Sequence, residues 1–113
     1  MAHITTEQLR LLLESEEPVP LLNVLPEEQF RAGHIPGSLN VPLDTPDFVS
    51  RVEDLVGGKT RQLVVYCQNE ACTASTRAVR RLEEAGFREV YEYDGGIDAW
   101  RKAGHRIAQV QAV

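Results

Sequence analysis

The 113-residue chain predicts an α/β fold, a mostly parallel central sheet of about five strands flanked by helices on both faces. Short apolar runs, Leu21-Leu22-Asn23-Val24, Leu63-Val64-Val65-Tyr66 and Val90-Tyr91-Glu92-Tyr93, alternate with stretches whose apolar residues recur at helical spacing. Strands that alternate with helices join through right-handed crossovers and pair in parallel. The middle run, Leu63 to Tyr66, carries no charge, as a strand covered on both faces requires. At this length, with 42% hydrophobic and 26% charged residues, one domain can bury a core without disulfides or metal. It is expected to span 1–113, with a core over 5–104 and a tail over 105–113.

Thr5 and Gln8 form a capping box ahead of Leu9, Leu12 and Leu13, which predicts a first helix running to about Ser15. Leu21 to Val24 reads as a buried strand, in which Asn23 needs hydrogen-bond partners and is either structural or part of a site. Pro26, Glu27 and Glu28 suit a helix's first turn, so Pro26 to Ala32 is a short helix ended by Gly33. His34 to Pro42, with two prolines and a glycine, suits a turn leading into a short strand. Asp44, Thr45 and Pro46 predict the next helix start, with Phe48, Val49, Val52 and Leu55 inward and Gly57-Gly58 as its end. From Thr73 the residues Ala78, Val79, Leu82 and Ala85 form an inner stripe, Arg77, Arg80, Arg81, Glu83 and Glu84 an outer one, and Gly86 the stop. Gly95-Gly96 permits a tight turn or a close backbone approach. A last helix follows, with Trp100 as a core plug; His105 to Val113 is expected to be a surface strand or a loose tail.

Cys67 therefore stands at a strand's carboxyl end facing a helix's amino end, where open α/β sheets place their ligands. Unpaired N–H groups at a helix start favour an anion. A contribution of about 2 kcal/mol would lower a thiol pKa near 8.5 by roughly 1.5 units, leaving about half of Cys67 as thiolate near pH 7. The opposing expectation is a small buried hydrophobe. Cys72, separated from Cys67 by four residues in the same turn, either attacks an oxidised or sulfur-bearing Cys67 or packs as an apolar residue at the helix start. Two cysteines with no histidine beside them fall short of a zinc ligand set, and no cofactor is expected.

The formal charge of −5 argues against nucleic acid as a partner, since phosphate binding needs a basic surface. No apolar run approaches a membrane span, and Met1-Ala2-His3-Ile4 lacks the features of a signal peptide. The cytoplasm is the expected compartment, where paired cysteines are more often reactive or reduced than structural. The sequence leaves the oligomeric state open.

Five stretches, Leu21 to Val24, Phe30 to Pro42, Val64 to Cys67, Ala85-Gly86-Phe87, and Gly95-Gly96 with Trp100, resemble in their order a single-domain rhodanese, a sulfurtransferase of thiosulfate or persulfides. The resemblance implies that Cys67 is the sulfur-carrying nucleophile and that His34 is structural. It also implies that Gln68, Asn69, Glu70, Ala71, Cys72, Thr73, Ala74 and Ser75 cradle a persulfide with backbone amides. The chain departs from the family where Asn23-Val24-Leu25 replaces the usual Asp-Val-Arg. Counting back from Gly86 puts Ala74 where the family closes its loop with arginine, leaving the turn longer than usual. Phosphatases of this fold place an arginine, to clamp phosphoryl oxygens, where this chain has Thr73. With Glu70 and no Lys or Arg in the turn, a dianionic donor lacks a cationic partner.

The leading expectation is therefore a sulfurtransferase that takes sulfane sulfur from a small donor or a persulfide-bearing protein onto Cys67 and hands it to a thiol acceptor. The rivals are a thiol redox protein or sensor using Cys67 and Cys72, and a non-catalytic binding domain in which Cys67 is inert.

Overall fold

The computed structural model describes residues 2–110. In chain order they form β1 (Ala2–His3), α1 (Thr6–Glu14), β2 (Leu21–Asn23), α2 (Glu27–Ala32), β3 (Leu39–Asn40), α3 (Phe48–Val56), β4 (Gln62–Tyr66), α4 (Ala74–Glu84), β5 (Glu89–Tyr93) and α5 (Gly96–Lys102). The strands join one sheet in the order β1-β5-β4-β2-β3, and every pairing is parallel. The uncharged run Leu63 to Tyr66 is completely buried, which fits its place at the sheet's centre between β5 and β2.

Because strand side chains alternate between faces, the register divides the sheet. Val65 lies opposite Glu92, and Tyr66 lies opposite both Tyr93 and Asn23. On one face Tyr93 meets Thr6 of α1 through its hydroxyl and Trp100 of α5 edge-on at 6.5 Å between ring centres. On the other, Glu92 meets Ser75 and Thr76 of α4, and Arg81 of α4 lies over the Phe48 ring of α3. From β2 the chain steps outward to β3, whereas from β4 it steps the opposite way to β5. The carboxyl ends of β2 and β4 thus bound the crevice where such sheets bind ligands.

Local chemistry explains most element boundaries. Thr5 and Gln8 make the reciprocal capping box of α1, and Gly57, at φ +85°, closes α3. α3 begins later than expected, at Phe48, because Asp44 to Pro46 are taken up by a turn in which Thr45 N donates to Pro42 O. Leu55, expected inward, is 52% exposed, since Phe48, Val52 and Val56 form the stripe that α3 buries. β2 ends at Asn23, one residue early; its side-chain Oδ1 accepts from Leu25 N at 2.9 Å and so turns the chain out of the sheet.

The edge strand β1 has no sequence counterpart, because two exposed residues carry no periodicity. The segment after α5 is pinned rather than loose over the residues described: Ala108 bridges His34 and Trp100 Nε1 donates to Arg106 O at 3.1 Å. Residues 111–113 of the expected tail lie outside the described residues. Trp100 is buried, as expected of a core plug.

Candidate functional site

Cys67 follows β4 directly, and its Sγ points toward the first turn of α4. The thiol donates to Ser75 Oγ at 3.2 Å, with Cys72 O farther off at 3.6 Å. Ser75 in turn donates to Glu92 Oε2 at 2.8 Å, an oxygen that also accepts from Thr76 Oγ1 at 2.8 Å. Cys67, Ser75 and Glu92 are all buried, Glu92 with only 4% of its surface exposed.

The turn between β4 and α4 is held from inside and from α5. Asn69 Oδ1 accepts from Ala71 N at 3.0 Å and Asn69 O from Cys72 N at 3.1 Å, a side-chain turn nested in a backbone turn. Asp98 takes both side-chain amides of the turn, Gln68 Nε2 at 2.7 Å and Asn69 Nδ2 at 2.9 Å. The Asn69 bond, then the Gln68 bond, holds its carboxyl below the ordinary value. The first amides of α5 complete the clamp, Ile97 N donating to Cys67 O at 3.1 Å and Asp98 N to Gln68 O at 3.0 Å. This demands a glycine at position 96, where a Cβ would stand 2.3 Å from Cys67 O; the close approach permitted by Gly95-Gly96 is the one realised.

The electrostatics reverse the expectation for Cys67. Burial, reinforced by the neighbouring Cys72 thiol, pushes Cys67 up to about 11, and Ser75 only partly opposes this, through its backbone amide. Cys72 moves the other way. Burial raises it, but the Cys67 thiol, the amides of Ala74 and Gln68 and the charge of Arg77 together hold it below the ordinary thiol value. The amides that the sequence reading aimed at Cys67 are thus divided. Ser75 N serves Cys67, while Gln68 N and Ala74 N serve Cys72, so the pair's first ionisation falls on the outer sulfur. Helix-start stabilisation is real, but Cys67 is desolvated behind the site that receives most of it.

Of the other turn residues, Glu70, Ala71 and Thr73 are exposed, and the Thr73 side chain does not cap α4. The turn itself carries no Lys or Arg, as read from the sequence; α4 brings two arginines beside it. Arg77 and Arg81 line a groove of about 400 Å³ with Val24, Pro26, Leu43, Asp44 and Ala74, beside the turn rather than within it. A helix returns to the same side every three to four residues, so Arg77 was placed by its distance from Thr73. Its place on an outer face shared with Glu83 and Glu84 concealed this. Glu92 and Asp98 were missed because each acts across space, from another element. His34 Nδ1 meets Phe30 O at 2.8 Å and stacks on the Phe30 ring, away from the thiols. Among the described residues no helix is long and apolar enough to cross a membrane.

A rhodanese-like domain model matches residues 5–103. The HTH-type transcriptional regulator Rv0324 of Mycobacterium tuberculosis is 40% identical over 101 residues, 89% of this chain and 42% of that protein; the chain therefore spans less than half of that relative. Thiosulfate sulfurtransferase GlpE of Shewanella oneidensis is 30% identical over 102 residues, covering 89% of this chain and 93% of that enzyme. The crystal structure of the Anabaena Alr3790 protein superposes with a TM-score of 0.84 at 29% identity, over 96% of this chain and 94% of that one. Sheet order, the cysteine at the end of β4 and these matches lead to one conclusion: the chain belongs to the rhodanese-like domain family.

Proposed function

We propose that the domain is a sulfurtransferase in which Cys67 accepts sulfane sulfur and is carried as Cys67–S–SH, with Gln68 to Ser75 as its binding loop and a thiol as acceptor. The observation that carries the reading is the position of Cys67 Sγ, 3.2 Å from Ser75 Oγ at the start of α4, with the Gln68 and Ala74 amides gathered just outside it on Cys72. An outer persulfide sulfur extending from Cys67 into the turn would occupy the place that the Cys72 sulfur now holds. The name of GlpE, a thiosulfate sulfurtransferase, supports the reaction class. The groove carrying Arg77 and Arg81 suits a donor with a negative charge, either thiosulfate or the persulfide of a carboxylate-bearing thiol. The expected work is cytoplasmic, on a small donor or a persulfide-bearing protein. Incubation with each donor should add the mass of one sulfur at Cys67, located by peptide fragmentation. An unchanged mass with every donor would sink the reading.

A second reading rests on the mutual influence of the two thiols, which moves their pKa values in opposite directions: a dithiol that closes a Cys67–Cys72 disulfide when oxidised. The more acidic Cys72 is the attacking sulfur in that case. Mild peroxide is then expected to remove two hydrogens from the wild-type mass and to fail to do so in Cys72→Ala. Equal products from both proteins would dismiss it.

A further inference from the structure

Glu92 is a carboxylate inside an α/β core, on a strand whose other buried side chains are apolar or aromatic. Its Oε2 accepts two hydroxyl hydrogen bonds, from Ser75 and Thr76. Its Oε1 is buried and has no hydrogen-bond partner among the described residues. Among the described residues, the basic side chain paired with it is His3 on β1, whose Nδ1 lies 4.0 Å from Oε1 and is itself paired with Asp94 at 2.6 Å. From β4 it is faced by the apolar Val65, and from α4 by the two hydroxyls. A buried carboxylate is costly and is rarely retained without a role.

Its second neighbour supplies that role. Ser75 uses its only proton on Glu92 and so presents a lone pair to Cys67, whose thiol donates to it. The direction of donation runs without a break from sulfur to carboxylate, Cys67 S–H to Ser75 O–H to Glu92 Oε2. We infer that Glu92 is a positioning and proton-accepting residue for Cys67, drawing off the thiol proton through Ser75 as the sulfur attacks its donor. The inference rests on the sulfurtransferase reading and adds to it the residue that makes a thiol with a raised pKa usable near neutrality.

The step balances without an oxidant or reductant. With a persulfide donor R–S–SH, the Cys67 sulfur bonds to the donor's outer sulfur while the Cys67 proton passes to Ser75 Oγ and the Ser75 proton passes to Glu92. The donor's S–S bond breaks and its electron pair leaves on R–S⁻. Protonation of that thiolate and return of the Glu92 proton to solvent complete Cys67–SH + R–S–SH → Cys67–S–SH + R–SH. A relayed base contributes typically about 100-fold or more, enough to offset a large part of the thiol's reluctance to ionise.

The test is the rate of sulfur addition at Cys67 in the full chain against pH, for wild type and Glu92→Gln, with glutathione persulfide as donor. Gln keeps an oxygen for Ser75 and Thr76 to donate to but takes no proton. Loading of Glu92→Gln at pH 7 is expected to be about 100-fold slower, with the two rates converging as pH approaches about 11, where Cys67 ionises unaided. A purely electrostatic role predicts the opposite sign, because losing a negative charge near a thiol favours its thiolate; an equal or faster variant at pH 7 overturns the relay. If the wild type takes up no sulfur, the sulfurtransferase reading fails by itself. The relay is then judged on iodoacetamide alkylation of Cys67, where the same slowing at pH 7 upholds it and its absence overturns it. If circular dichroism shows Glu92→Gln unfolded, Ser75→Ala, which removes the middle hydroxyl, is held to the same two outcomes.

Discussion

Gly96→Ala is expected to lower the melting temperature by about 15 °C, more than any other glycine replacement in this chain. At φ +61° an alanine meets a left-handed penalty of roughly 1–2 kcal/mol. Its Cβ would also lie 2.3 Å from Cys67 O and 2.7 Å from both Gln68 C and Gln68 O. Those are backbone atoms in the clamp between the turn and α5, so relief requires breaking the bonds from Ile97 N and Asp98 N. Together the losses come to about 4 kcal/mol, in the range reserved for strained or clashing core changes, and each kcal/mol moves the melting point of a domain this size by about 4 °C. Gly37→Ala is the control: its φ is also positive, at +84°, but nothing lies within 4 Å of its added methyl. Thermal melts of both variants check the claim, and similar shifts for the two would refute it. Because the displaced atoms belong to Cys67 and Gln68, surviving Gly96→Ala protein should also react more slowly at Cys67.

Cys72→Ala is expected to bring the Cys67 titration down from about 11 while leaving it above the ordinary thiol range. Two contributions raise Cys67, burial first and the Cys72 thiol second. The substitution removes the second and keeps the first. It also vacates the place where the Gln68 and Ala74 amides converge, opening it to an outer sulfur. At pH 8, below the midpoint, each unit of downward shift gives about tenfold more thiolate, so alkylation at Cys67 should accelerate even though a cysteine has been lost. The pH dependence of Cys67 alkylation in the two proteins decides this. A midpoint that stays put, or climbs, would mean that burial accounts for the whole elevation. The variant also separates the two proposed functions, because it abolishes the disulfide while leaving the sulfur acceptor in place.

The second result turns on a thiol kept protonated at rest. A thiol held as S–H resists oxidation and needs either substrate or a proton acceptor before it reacts. Cys72, more exposed and lower in pKa, meets solvent first, and Glu92 waits behind Cys67 on the opposite side. The site has a front and a back. On the proposed reading, the front selects what approaches, through Arg77 and the turn amides, and the back manages the proton.

Periodicity and turn chemistry are local properties, so the chain's order of residues was enough for the alternation of strands and helices, the Thr5 capping box, the stop at Gly57 and the position of Cys67 between β4 and α4. Each follows from neighbours within a few residues along the backbone. β1 escaped notice because two residues have no period, and Leu55 was assigned inward because a hydrophobic stripe was drawn wider than the surface α3 buries. The protonation of the two sulfurs was beyond any local pattern. It depends on how much water the fold excludes from Cys67, on which amides the Asn69 turn aims at Cys72, and on Glu92 and Arg77 arriving from a strand and a helix face whose distances exist only after the sheet has closed. A thiol's pKa is the difference between solvation lost and fields gained, and both are sums over atoms far apart in the chain.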